Sequence, residues 1–110
     1  MAYDKSIEQR IDVLITPWPD MEKKKMFGGV CYLLCGNICF GIWQTYLIVR
    51  TDRDTALAQL RHEHVRPFDV TGKPMKGWLM VAADGWPTDL ALLEWLSMGR
   101  SFALTLPEKN

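Results

Sequence analysis

Cys31, Cys35 and Cys39 fall four residues apart, and on a helix that spacing would bring three thiolates together as metal ligands. The residues between them argue against a helix. Gly36 and Asn37 both tolerate positive φ and read as the tips of a two-residue turn, so the segment reads as a β-hairpin. With those tips, Cys35 faces Ile38, Leu33 faces Phe40 and Cys31 faces Ile42 on one side of the hairpin. Val30, Tyr32, Leu34, Cys39 and Trp43 lie on the other. Cys39 then points away from Cys31 and Cys35, and no histidine lies near enough in sequence to complete a tetrahedral set. The cysteines read as small buried hydrophobes. His62 and His64 flank Glu63 beyond the end of a helix. Two ligands on a loop are too few for a metal site, and a helix C-terminus favours a cationic imidazole. No metal and no cofactor are expected.

Nucleophilic and acid–base chemistry find no footing. Ser97 and Ser101 sit on the outer face of a helical pattern, outside any nucleophile elbow. Asp69 and Asp84 read as strand-end and turn residues and form no catalytic pair. The chain is not expected to be an enzyme. Two segments combine glycine with lysine: residues 24–29, which include Lys24, Lys25, Phe27, Gly28 and Gly29, and residues 71–78, which include Gly72, Lys73, Lys76, Gly77 and Trp78. Their spacing is not that of a phosphate loop. They read either as turn glycines beside solvated lysines or as an anion or partner site built from backbone N–H groups and ammonium charge.

The elements that position these residues follow from periodicity. Tyr3, Ile7, Ile11, Leu14 and Trp18 share one helical face, and Pro17 and Pro19 end that helix. Residues 20–25 read as a charged lead-in to a first strand over residues 25–35. The hairpin and a third strand over residues 46–50 follow, with a short turn at Gln44 and Thr45. Thr51 or Asp52 can cap a second helix over residues 53–61, with Leu57 and Leu60 on its buried side. Residues 66–70 and 78–82 read as strands. Thr88 caps a last helix to about residue 104, striped by Leu92, Trp95, Leu96, Gly99, Phe102 and Ala103. The order helix, three strands, helix, two strands, helix implies a two-layer α+β fold with a largely antiparallel sheet, in one domain spanning residues 1–110. The hairpin is apolar on both faces, so both faces need cover.

Lys plus Arg number 13 and Asp plus Glu number 13, so the formal net charge is zero. Nucleic-acid binding through bulk positive charge is therefore not expected to be strong. The N-terminus lacks a signal-peptide pattern, and no apolar run reaches the ~18 residues of a membrane span. With an odd number of cysteines and no export signal, the thiols are expected to be reduced and the protein cytoplasmic.

Four blocks resemble the signature of the TfoX/Sxy N-terminal domain. These are Lys25, Met26, Phe27, Gly28 and Gly29; the turn at residues 36–41; Leu47, Ile48, Val49 and Arg50; and residues 66–78, from Arg66 through Lys73 and Lys76 to Trp78. They occur in the family's order and spacing over nearly the whole chain. The resemblance implies a two-layer fold with an antiparallel sheet, similar to the secretion-chaperone-like group. Full-length members of the family regulate natural competence in bacteria, acting with the cyclic-AMP receptor protein at competence promoters, and carry a further C-terminal helical domain. A stand-alone N-terminal domain is the expectation here. The family pattern supplies no catalytic residues.

The expected function is that of a small bacterial interaction domain that binds a protein partner, a transcription regulator. The candidate binding residues are Lys25, Phe27, Gly28, Gly29, Arg50, Lys73, Lys76 and Trp78, with the basic residues supplying charge and Phe27 and Trp78 supplying apolar anchors. The rival expectation is an anion, small-molecule or nucleic-acid binding module, or an enzyme, built on the same glycine–lysine segments. Homodimerisation is compatible with either, through a sheet face carrying Tyr32, Leu34 and Trp43.

Overall fold

Apolar stripes and capping side chains set three helices. α1 (Lys5–Leu14) starts at Asp4, whose carboxylate accepts a 2.9 Å hydrogen bond from the Ser6 N–H, and buries Ile7 and Ile11. α2 (Arg53–Gln59) starts at Asp52, which accepts from the Thr55 N–H at 3.0 Å. α3 (Asp89–Leu104) starts at Thr88, whose hydroxyl accepts from the Ala91 N–H at 3.1 Å, and buries Leu92, Trp95, Leu96, Gly99 and Ala103. These elements come from a computed structural model that describes residues 3–26, 28–69, 72 and 76–107.

Among the described residues six strands, β1 (Met21–Met26), β2 (Gly29–Leu34), β3 (Asn37–Trp43), β4 (Tyr46–Arg50), β5 (Val65–Pro67) and β6 (Trp78–Val81), form one sheet in the order β1-β2-β3-β4-β6-β5. Every neighbouring pair is antiparallel. The α+β class and the antiparallel sheet agree with the expectation from element order. One element was not anticipated: the charged lead-in is itself a strand, β1, lying at the sheet edge.

The hairpin register also differs from the expected one. Cys35 (φ 53°) and Gly36 (φ 82°) form the turn, and Asn37 is the first residue of β3, opposite Leu34. Both tips in the left-handed region make a turn whose twist matches the flanking strands. Asn37 is held elsewhere: its side-chain amide donates to the Pro107 carbonyl at 2.9 Å. A bulge then lets Leu33 face Ile38 while Tyr32 faces Phe40, so Cys39 is the extra residue. The slip moves Trp43 to the face opposite Tyr32 and Leu34.

The helices cover one face. Val30, Tyr32, Leu34, Cys39, Phe40, Leu47, Val49, Leu79 and Val81 pack with Ile7, Ile11, Leu92, Trp95 and Leu96 in one cluster. Tyr32 and Leu34, expected on an open dimer face, are only 1% and 4% exposed beneath the helices. The other face carries a smaller cluster of Ile48, Phe68 and Met80, flanked by Trp43, Tyr46 and Trp78, with no helix residue among them. α3 lies so close to β3 that a Cβ on Gly99 would collide with the Cys39 carbonyl.

Candidate functional site

The three cysteines do not converge. Cys31 and Cys39 are buried, and Cys35 is exposed at the hairpin tip. Cys39 belongs to the helix-side cluster, whereas Cys31 pairs with Gly41 on the opposite face. Burial pushes the Cys31 thiol up to about 12 and the Cys39 thiol up to about 11, so both are protonated at neutral pH. His62 and His64 stack at 5.5 Å, with His64 edge-on to Trp95 at 6.5 Å. Among the described residues, no group of three His, Cys, Asp or Glu is placed to hold a metal ion.

The sheet separates the two glycine–lysine segments. Lys25 is exposed on β1, in the row of paired residues that runs through Val30, Ile42 and Leu47 to Val81. That row reaches β6 four strands away, roughly 19 Å at the usual inter-strand spacing. Lys76 and Trp78 lie beyond, at the other end of β6. Lys25 therefore shares no site with them. Gly28 (φ 81°) is exposed in the β1–β2 turn, and Gly29 packs so closely on the Ile42 carbonyl that a side chain would not fit. Phe27 and Lys73 lie outside the described residues.

The structure brings Arg50 onto Trp78, and Trp78 and Lys76 onto one cleft that Arg50 does not line. Arg50 pairs with Trp78 across β4 and β6, and its guanidinium carbon sits 5.4 Å from the centroid of the Trp78 ring and 5.5 Å from that of Phe102. One residue before Trp78, Gly77 is pinned against the next turn of chain. Its carbonyl accepts from the Thr51 N–H at 2.7 Å, and its φ of 82° beside the Thr51 carbonyl leaves no room for a Cβ. This contact sets Lys76 and Trp78 at the rim of a cleft between α2 and the β5–β6 edge.

The cleft measures about 190 Å³. Ala56, Leu57, Leu60, Pro67 and Leu79 supply apolar walls, and Arg53 and Lys76 supply two cations; no histidine, carboxylate or nucleophile lines it among the described residues. Leu57, expected on the buried side of α2, is 60% exposed at this cleft. α2 is too short for its period to decide which of its leucines is covered. Arg53, Leu57 and Pro67 were not among the binding residues expected from sequence. The available signal was a leucine pair on a short, polar helix beside the Gly77 and Trp78 block.

A family model described as the TfoX N-terminal domain matches residues 13–103, most of the chain, and the chain belongs to that family. No curated protein and no solved structure matches it significantly. Among the described residues, no helix is long and apolar enough to cross a membrane.

Proposed function

We propose that this TfoX N-terminal domain is a protein-interaction domain of a transcription-regulatory system, and that it engages its partner through the cleft between α2 and β5–β6. Family membership supports a competence-regulator-like role. The observation that carries the location is the apolar cleft with Arg53 and Lys76 at its edge and Leu57 exposed beside it. At about 190 Å³ the cleft is smaller than the ~300–1,000 Å³ that encloses a typical small-molecule ligand. It suits one apolar side chain of a partner, with a neighbouring carboxylate on Arg53 or Lys76. The partner class follows the family's coactivators: a DNA-bound regulator such as the cyclic-AMP receptor protein.

The test is a fluorescence-anisotropy titration of the labelled domain with that receptor protein on a promoter fragment. Leu57 and Lys76 are exposed, so Leu57→Asp and Lys76→Glu leave the core intact. Each is expected to weaken binding by about tenfold or more. Absence of binding by the unsubstituted domain sinks the regulatory reading. Equal binding by the variants sinks the assignment to the cleft.

A further inference from the structure

The two edges of the sheet differ. β5 is three residues long and ends in Pro67, which blunts it as a template for another strand. β1 is six residues long, has neither Pro nor Gly, and among the described residues pairs with β2 on one side only. Its residues Glu22, Lys23, Lys24 and Lys25 are exposed. Three consecutive lysines would ordinarily repel a second such strand, but the surroundings of this one change the balance.

Glu22 and Lys24 lie on the open face of the sheet, in register with Leu33 and Cys31. Lys23 and Lys25 lie on the helix face, in register with Tyr32 and Val30. On that face α1 presents two carboxylates, and Lys23 donates to Glu8 at 2.9 Å and to Asp12 at 2.7 Å. Burial alone would lower the Lys23 pKa, but its hydrogen bonds to Asp12 and Glu8 outweigh that and raise it. The edge thus carries three cations, Lys23, Lys24 and Lys25, and three carboxylates, Glu22, Glu8 and Asp12.

We infer that β1 is a homodimerisation seam, pairing antiparallel with β1 of a second copy about a two-fold axis at Lys23. A two-fold axis perpendicular to a sheet preserves its faces, so directly opposed residues must share a face. An axis at any residue of β1 satisfies this; at Lys23, Glu22 opposes Lys24 of the second copy on the open face, twice by symmetry, and the two Lys23 side chains that meet on the helix face are each already paired with Glu8 and Asp12. On the helix face, Lys25 of each copy falls diagonally beside Lys23 of the other, within reach of Glu8 and Asp12. Each face of the seam is neutral. The alternative centre at Lys24 places two unpaired lysines directly opposite one another and leaves Glu22 facing Met26. Charge complementarity therefore selects one register and one occupant, a second copy of this chain. Two six-stranded sheets become one, and the α2 clefts lie away from the seam, near the opposite edge of each sheet.

The pattern has a specific test by light scattering after size exclusion at high micromolar concentration. The unsubstituted chain is expected at twice the chain mass. Glu22→Lys places Lys opposite Lys24, and Lys24→Glu places Glu opposite Glu22. Each raises the dimer Kd by about tenfold or more, since two like-charge oppositions replace two pairs. Mixed in equal amounts, the two variants restore complementarity at both 22–24 oppositions and are expected to run as a heterodimer. Both positions are solvent-exposed, and circular dichroism of each variant checks that it is folded. A monomeric unsubstituted chain overturns the inference. So does a dimer indifferent to both variants, which would put the interface on the Trp43 face, or a mixture that stays monomeric.

Discussion

Replacing Gly99 by alanine sets two effects of opposite sign against each other. In the middle of an exposed helix the change stabilises by up to about 1 kcal/mol, because alanine loses less backbone freedom on folding. Gly99 is not exposed: it faces β3, and a Cβ there would collide with the Cys39 carbonyl oxygen. The obstacle is backbone, inside the bulge that sets the β2–β3 register, and no side-chain rotation relieves it. α3 must lift from the sheet, loosening Leu92, Trp95, Leu96 and Ala103, all buried in the same core. Overpacking of this kind costs about 3 kcal/mol at the upper end of its usual range, so the net loss is about 2 kcal/mol. For a domain of this size that lowers Tm by roughly 8 °C. Urea and thermal melts measure it, with Ser101→Ala on the exposed side of α3 as the control, expected to gain about 0.5 kcal/mol. A Gly99→Ala variant as stable as the parent would refute the close helix–sheet approach, and with it the placement of the bulge at Cys39.

A thiol reagent at neutral pH should modify Cys35 rapidly and leave Cys31 and Cys39 untouched until unfolding, because burial holds those two thiols near 12 and 11; three fast thiols in the folded protein would contradict the hairpin register. The caps of α1 and α2 predict an acid response. Hydrogen bonds from the Ser6 hydroxyl to Asp4 and from the Thr55 hydroxyl to Asp52 lower both carboxyl pKa values below 3.8. Their stabilisation is therefore present above that value and lost as pH falls through the depressed folded-state values. Circular dichroism in acid should show Asp52→Asn, which keeps a capping side chain but cannot titrate, losing less helix than the parent over that window; identical curves would refute the cap's role.

What the sequence revealed and concealed divides along physical lines. Helices α1 and α3 were legible because a sustained 3.6-residue stripe matches no strand or loop pattern, and Thr88 sits where a cap belongs. β1 was hidden because an edge strand joins the sheet through its backbone, and its side chains, exposed from Glu22 to Lys25, show no alternation. The turn was displaced by one residue because Gly36 with Asn37 has better intrinsic turn chemistry than Cys35 with Gly36. What outweighs that preference is remote, the Asn37 amide bonded to Pro107 across 70 residues of chain. The site was half legible. Arg50 and Trp78 belong to recognisable blocks, but their meeting depends on β6 inserting between β4 and β5, and Leu57 joins Trp78 at the cleft only through the tertiary placement of α2.

The two apolar faces of the β2–β3 hairpin bear most directly on where partners bind. Apolar residues on both sides require cover on both, and helices on one side alone would leave the open side to a partner. The structure meets most of that need from within the chain. Cys31 and Ile48 are fully buried on the open face, and Phe68 and Met80 are nearly so, under a rim of Trp43, Tyr46 and Trp78. Trp43 stacks on Tyr46 at 6.3 Å, and Arg66 lies 5.8 Å from the Tyr46 ring. Large aromatics laid across the sheet shield small and β-branched neighbours beneath them, and arginine cations shield the rings in turn. The apolar surface that would have driven a face-to-face dimer is largely spent in the chain's own packing. What the sheet leaves unsatisfied is at its edges: the backbone of β1 on one side and the Leu57 cleft on the other. A partner that recognises this domain by exposed chemistry must therefore read an edge, and the two edges are different enough to be read by different partners.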